Sequence, residues 1–321
     1  MANASQLQIS ETLTQFASAY SNKDFIADIV CPVISVDSLS GRFATRNKFD
    51  EYTTAADDLV GPKGSVNRVS YSTGTDTFTL EGRALEDVVD YTQMQAVNTP
   101  LNPEQLAVSN VMNAIMRKHE LRVATVMTTS GNYASSNTFA SGTPDSGTAA
   151  AWTDTSNSRP VRDIQYALEQ LPFSGEDQRI VGFCSDLVYN ALARHPELLA
   201  LMGLGDRGLV SKSLLAEFFG IDDLIVSRIG YSSTNPGQSS KTYARAWGTT
   251  VFGLTVIPRQ TVSTEQQMFA ASFRHRSGVE VFEWEDMSIG AKGGKRIKVS
   301  HYTQAAKVIQ NDSAALITGV R

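Results

Sequence analysis

Apolar positions recur along this chain with more than one period, and the period changes as the chain proceeds. Near the start, Leu7, Ile9, Leu13 and Phe16 fit a short amphipathic helix. Phe25-Ile26-Ala27-Asp28-Ile29-Val30-Cys31-Pro32-Val33 follows, an apolar run expected to be extended. Pro32 has no amide hydrogen to give to a ladder, so the run suits an edge strand or an arm. Apolar residues thin out over 36–95, where Ser, Thr, Asp, Gly, Lys and Arg dominate. Arg42 to Tyr52 alternates basic and aromatic residues. Val66 to Gly82 alternates more cleanly, with Thr75, Thr77 and Thr79 on one face and Asp76, Phe78 and Leu80 on the other. Val60-Gly61-Pro62-Lys63-Gly64 between them is a turn signal. The pattern predicts a long β-hairpin whose arms of about ten residues each reach roughly 33 Å. A two-stranded ribbon is marginal in water, so this one must rest on another surface.

The period then changes to three and four. Asn102 is an N-cap, Pro103 sits at the first helical position and Glu104 lies in the first turn. Val108, Met112, Ile115, His119, Val123 and Val126 carry one stripe, predicting a rod of about 27 residues and roughly 40 Å. Ser135 to Thr153 is rich in Ser, Thr, Gly and Ala and reads as a surface loop. From Ser158 the pattern is compact α/β. Helices are expected over Val161–Leu171, over Asp186–Arg194 capped by Ser185, over Glu197–Met202 after His195-Pro196, and over Leu214–Phe219, ending at Gly220. Arg179–Cys184 and Leu224–Ser227 read as buried strands. Beyond Lys241 the chain is mostly β: Tyr243–Trp247, Val251–Ile257, Gln267–Phe273, a pair formed by Val279–Trp284 and Arg296–Tyr302 around Gly290, Gly293 and Gly294, and finally Ala314–Val320. No internal repeat is evident.

Composition narrows the class. With 321 residues, the chain can bury a sizeable core. Charged residues make up only 19%. That fits a surface destined to be covered by partners, and equally a surface rich in Ser, Thr, Asn and Gln. A net charge of -5 argues against a protein that grips nucleic acid by neutralising phosphates. Cys31 and Cys184 are far apart, with no CxxC or Cys/His cluster, so two free buried thiols in a reducing compartment are expected. No apolar run approaches the roughly 20 residues needed to cross a bilayer. Met1–Tyr20 lacks the basic-then-apolar order of a signal peptide.

Candidate chemistry is sparse. Gly203-Leu204-Gly205-Asp206-Arg207-Gly208 matches G-x-G-x-x-G, with Asp222 and Asp223 downstream. A dinucleotide site needs a strand before that loop, and here the preceding residues look helical. Gly290-Ala291-Lys292-Gly293-Gly294-Lys295 lacks the spacing of a phosphate loop and reads as a hairpin turn. His119, His195, His275 and His301 are scattered, with no metal-binding pair. Glu280, Glu283, Glu285 and Asp286 form an acidic run that suits a charged edge strand better than paired acid/base chemistry. No catalytic, cofactor-binding or metal residue is assigned, and the expectation is a non-enzymatic structural subunit.

The order of parts resembles the major capsid proteins of tailed bacteriophages, the Hong Kong 97-like fold, over nearly the whole chain. The resemblance is carried by Phe25-Ile26-Ala27-Asp28 and Pro32-Val33 in the arm and by Thr75, Thr77 and Phe78 on the returning strand of the loop. Pro100-Leu101-Asn102 stands before the spine helix, and Trp152-Thr153-Asp154 leads into Val161-Arg162-Asp163-Ile164. Its most specific block runs from Leu214-Leu215-Ala216-Glu217-Phe218-Phe219 through Gly220-Ile221-Asp222-Asp223 to Leu224-Ile225-Val226. What the resemblance implies is an α+β fold in four parts. These are an N-terminal arm (1–36), an extended β-hairpin loop (37–95), a peripheral domain with the spine helix (96–172 and 277–304), and an α/β axial domain (173–276 and 305–321).

By the same resemblance the chain would assemble with itself through pentamers and hexamers into an icosahedral shell around double-stranded DNA. The shell wall would face the DNA without sequence-specific binding and without a membrane. Assembly would take place in the host cytoplasm, and the finished location would be the virion. The arm begins almost directly with the part found in mature shells, so a scaffolding protein is expected to be separate; a portal and a decoration protein are further expected partners. Some family members crosslink subunits through a Lys and an Asn. Lys48 and Lys63 lie on or near the loop, but no partner residues match, and that chemistry is not carried over. Two alternatives remain: an encapsulin-like cellular shell, and a nucleotide-dependent enzyme using the 203–208 loop.

Overall fold

The computed structural model describes residues 8–20, 22, 24–46, 58–60, 64–68, 73–92, 102–171, 177–203, 210–234, 242–259, 262–263 and 266–321. The arm contributes β1 (Gln8–Ile9), α1 (Glu11–Ala19), α2 (Ala27–Val30) and β2 (Val33–Val36). Then come β3 (Ser40–Arg46), β4 (Thr73–Thr79), β5 (Glu81–Asp90) and the spine helix α3 (Pro103–Thr128). β6 (Thr138–Ala140), α4 (Thr143–Ser146) and α5 (Pro160–Gln170) follow, then β7 (Gln178–Ser185), α6 (Asp186–Ala193), α7 (Pro196–Leu201) and α8 (Lys212–Phe219). The remainder is β8 (Asp223–Ser227), β9 (Gly230–Ser232), β10 (Tyr243–Arg245), β11 (Val251–Pro258), β12 (Ala270–Asp286), β13 (Gly294–Val308) and β14 (Ala314–Thr318).

Two five-stranded sheets organise the described residues. The first runs β1-β12-β13-β5, with β2 also on β12. Its centre is the antiparallel β12–β13 hairpin, which turns through Gly290 and Gly293, both at positive φ. β1 pairs antiparallel and β2 parallel with β12, so the arm is held by edge pairing at two places on one strand. The second sheet runs β6-β14-β11-β7-β8. Its strands alternate between two cores. Phe252, Leu254, Ala315, Ile317 and Cys184 face α5, α6, α7 and α8. Val181, Phe183, Ile225 and Leu316 face the other way, onto Val123, Ala124 and Met127 of the spine helix. A sheet covered on both faces reads as unbroken apolar runs, which is how Arg179–Cys184 and Leu224–Ser227 stood out in the sequence.

α3 spans 26 residues, and Asn102 Oδ1 accepts the Glu104 amide hydrogen at its start. Its first half packs Ala107, Val108, Val111, Met112 and Ile115 on Val281, Ile297 and Val299 of the first sheet. Its second half packs on the second sheet, so one rod spans both halves of the molecule.

Several expectations need correction. The arm segment Phe25–Val33 is not extended throughout: Ala27–Val30 is one helical turn, and the strand begins only after Pro32. Ile9 lies in β1 and is exposed rather than on the face of α1, which buries Leu13 and Ala17. Leu7 lies outside the described residues. Ser135–Thr153 is not a loose loop; it holds β6 and α4 and buries Trp152. The two expected strands Gln267–Phe273 and Val279–Trp284 are one long strand, bulged between Arg274 and Val279. Ser185 stands at the N-cap of α6 without making a side-chain capping bond.

Candidate functional site

The hairpin predicted from alternation is β3–β4, registered from Ser40 opposite Thr79 to Arg46 opposite Thr73. Each strand is seven residues long in the described part, shorter than the ten expected. The turn residues 61–63, like Lys48 and Lys63, lie outside the described residues. Thr75, Thr77 and Thr79 face solvent, as the alternation required, and Phe78 and Leu80 are buried. At Leu80 the returning strand hands over to β5, which pairs with β13 and so belongs to the first sheet.

One aromatic cluster roots the hairpin. The Phe78 ring stacks on Phe273 of β12 with centroids 4.7 Å apart, and Phe43 lies 5.5 Å from the same ring. Gly41, opposite Phe78, leaves room for it: a Cβ there would stand 2.6 Å from Phe78 Cζ. Lys307 Nζ pairs with Asp76 at 3.0 Å, and the Thr79 amide donates to Gln304 Oε1 at 2.9 Å.

A second node ties the arm to the spine helix. Glu120 of α3 is fully buried and accepts from the Ile26 and Ala27 amides, at 3.3 and 2.8 Å, and from Trp247 Nε1 at 2.5 Å. The two amides are the unpaired donors at the start of α2, so the carboxylate sits where that helical turn needs an acceptor. This is why the arm turns helical there. Burial pushes the Glu120 carboxyl up, against the pull of its three donors. Next to it, His119 Nε2 lies 3.1 Å from Asp28 Oδ1, and Arg274 Nη2 donates to Asp28 Oδ2 at 3.2 Å. Burial works to raise Asp28, but His119 and Arg274 outweigh it and hold the carboxyl below its ordinary value.

A third node joins β6, α4 and α5. Buried Asp163 accepts from Trp152 Nε1 (2.9 Å), Ser141 Oγ (3.0 Å) and the Gly142 amide (3.0 Å). Burial raises its carboxyl and these donors pull it back. The Trp152 to Asp163 stretch singled out in the sequence is thus one hydrogen-bonded joint.

The candidate chemistries resolve into structure. Gly203 follows helix α7, not a strand, which removes the dinucleotide-binding arrangement; 204–209 lie outside the described residues. Asp222 accepts the Ile180 amide and pairs with Arg259. Gly290–Lys295 is a hairpin turn, with Lys295 bound to Glu104 at 2.9 Å. In the acidic run, Glu283 faces Lys295, Glu285 accepts from Tyr91 Oη, and Asp286 pairs with Arg296. Buried His195 accepts the Glu197 amide on Nδ1 and meets Ser158 Oγ at Nε2, a neutral ring that burial holds below its ordinary pKa. Both cysteines are free and buried, pushed up to about 12 by burial. Among the described residues no group of His, Cys, Asp and Glu could hold a metal, and no helix is long and apolar enough to cross a membrane.

The sequence reading missed Glu120 and Trp247. Glu120 had a usable signal: it interrupts the spacing Met112, Met116, Ala124, a charge where the helix faces its core.

An arm laid on a sheet edge, a hairpin standing on one aromatic root, a spine helix and a two-faced α/β sheet together make up the Hong Kong 97-like fold. The comparisons with known proteins point the same way. The chain is 27% identical to the major capsid protein of Pseudomonas phage JBD67 over 305 residues, covering 93% of each. It is 25% identical to that of Burkholderia phage BcepMu, covering 85% of this chain and 84% of the relative. Its fold matches a phage-related protein from Bordetella bronchiseptica RB50 with a TM-score of 0.74 at 18% identity, covering 97% of both chains. Solved phage capsids share the fold more distantly. No protein-family model matches. The sequence resemblance to the major capsid proteins of phages therefore holds.

Proposed function

We propose that this chain assembles with itself, through pentamers and hexamers, into an icosahedral shell enclosing phage double-stranded DNA. The observation that supports it most is the hairpin. Its root is buried on Phe273, while Val66, beyond the paired strands, is 75% exposed and Val60 is also exposed. Apolar side chains on a two-stranded ribbon are covered when the ribbon lies on another subunit. Many such contacts per subunit add up to a cooperative closed shell.

In this reading 1–36 is the arm and 37–95 the loop. Residues 96–172 and 277–304 form the peripheral domain, and 173–276 and 305–321 the axial domain. Assembly takes place in the host cytoplasm with a separate scaffolding protein and a portal, and a decoration protein is an optional outer layer. The DNA is confined by the wall and is not gripped by it, in keeping with the net charge of -5. The test is particle size, by light scattering after size exclusion and by negative-stain microscopy, with scaffold supplied where the chain alone stays small. Shells or five- and six-membered rings are expected. A chain deleted for 55–70 should fold and form none; normal particles from that deletion would refute the role of the hairpin.

A further inference from the structure

Between α1 and β2 the arm leaves the edge of β12 and forms one wall of a cavity of about 290 Å³, with Tyr20, Asn22, Phe25 and Asp28 on the arm side. The facing wall includes His119 of α3, Arg274 of β12 and His301 of β13. Polar links fasten the arm here. Asn22 Nδ2 donates to Asn113 Oδ1 of α3 at 3.1 Å. Asp28 meets His119 Nε2 at 3.1 Å and accepts from Arg274 Nη2 at 3.2 Å. Glu120 takes the Ile26 and Ala27 amides. The apolar anchors of the same stretch, Ile26, Val30 and Cys31, belong to the core of the second sheet.

His301 lies across the cavity from the arm. It is 7% exposed, and its Nδ1 is buried without a hydrogen-bond partner. Arg83 stands opposite it on β5, and Arg274, Arg122 and His119 complete basic surroundings. The two carboxylates of the cavity are engaged by other groups, Asp28 by His119 and Arg274, and Glu120 by Ile26, Ala27 and Trp247. An imidazolium at this place would be a desolvated charge among basic groups, without a counter-ion of its own. Lifting the arm wall admits water, and the ring can then take up a proton as an ordinary histidine does.

We propose that the arm at 25–28 is a proton-sensitive lid over His301: the ring gains its proton when the lid opens, so acid loosens the arm from the spine helix while the second sheet stays folded. Burial and the surrounding basic groups hold His301 down at about 4 under the closed lid, against about 6.5 in water. A base with a lowered pKa favours the closed state at high pH, and that contribution is lost as the pH falls from about 6.5 to about 4. Asp28, held below its ordinary value by His119 and Arg274 despite its burial, adds to acid opening mainly below that window. Glu120 works in the opposite sense, because burial raises its carboxyl and a proton there favours the closed lid. The Cys31 thiol, pushed up to about 12 by burial, stays neutral throughout.

The test is hydrogen exchange of the whole chain, corrected for the intrinsic pH dependence of exchange. The amides to follow are those of Ala27, Val30 and Cys31, bonded to Glu120, Ile26 and Ala27. They should exchange faster than amides of β7, β11 and β14 and depend less on denaturant, as an opening smaller than global unfolding does. Between pH 7.5 and 5 their opening should rise about thirtyfold relative to His301→Gln, the ratio that midpoints of about 4 and 6.5 set. Comparison with that variant cancels the opposing effect of Glu120. Asp28→Asn should open the lid at both pH values and keep the rise. A second readout needs no variant: NMR of the unaltered chain should find His301 titrating near 4 while the arm amides stay protected. The proposal is overturned if the arm amides exchange only together with the second sheet, if His301→Gln shows the same rise as the parent, or if the ring titrates near 6.5 beneath a protected arm.

Discussion

Replacing Phe78 by Ala should release the hairpin from the body while leaving the second sheet intact. Phe78 is 7% exposed and lies between Gly41 and the Phe273 ring. Removing a buried phenyl group costs about 3–5 kcal/mol, within which a stacked ring pair accounts for about 0.5–1.5. What would still hold the ribbon is weaker. The Lys307–Asp76 pair has side chains 30% and 42% exposed, and partly exposed pairs contribute about 0–1 kcal/mol. The Thr79–Gln304 hydrogen bond adds about 0.5–1.5 kcal/mol. Phe43 keeps its own contact with Phe273 but has no second ring beside it. The loss therefore matches or exceeds the remaining attachment, and the free ribbon has little stability of its own.

Hydrogen exchange separates this local opening from global unfolding. Amides of 40–46 and 73–79 should lose about two to three orders of magnitude of protection in Phe78→Ala, at about 1.4 kcal/mol per decade. Amides of β7, β11 and β14 should change far less. Gly41→Ala should act in the same direction by pushing the same ring aside, whereas Lys307→Ala should have a small effect. Equal loss of protection throughout the chain, or unchanged protection in the hairpin, would refute the idea of a single aromatic root.

Three further outcomes can be measured by denaturation of the dispersed chain. Gly253→Ala should destabilise by about 1–3 kcal/mol or more, because the new Cβ would stand 2.1 Å from Cζ of the buried Phe183 ring, which has nowhere to move. Glu120→Ala should cost about 3–5 kcal/mol by leaving the Ile26, Ala27 and Trp247 donors unpaired; combined with Trp247→Phe the losses should not add, since the two share one hydrogen bond. His301, held at about 4 in the folded chain against about 6.5 unfolded, is a base with a depressed pKa, so the unfolded chain takes up its proton first. Stability is unaffected above about pH 6.5 and falls between about 6.5 and 4, by about 2 kcal/mol at pH 5; His301→Gln should lose that part of the slope.

What the sequence could disclose followed from periodicity. The alternation of Thr75, Thr77 and Thr79 against Phe78 and Leu80 was legible because one face of the ribbon is buried and the other is wet. The spine helix was legible from Asn102, Pro103 and its stripe, and the second sheet from runs apolar on both faces. What stayed hidden depends on contacts between residues far apart in the chain. Ala27–Val30 is helical because Glu120, 93 residues on, accepts its first amides. Ser135–Thr153 looks loose by composition, yet Asp163 collects Trp152, Ser141 and Gly142 into a joint.

Strand register also explains why arm and hairpin meet on the first sheet rather than on the second. β12 carries both arm strands on its edge, Phe273 under the hairpin, Arg274 against Asp28 of the arm, and β13 on its other side. Between Ala271 and Val279 its ladder with β13 shifts register twice. A bulged stretch is where a strand can bend at least cost, because its ladder is already interrupted. β2 of the arm and the hairpin root both attach within that stretch. The strand that carries the hairpin root therefore sets the angle of the hairpin. Substitutions in α6 or α8, which face only the second sheet, should change stability without changing that angle.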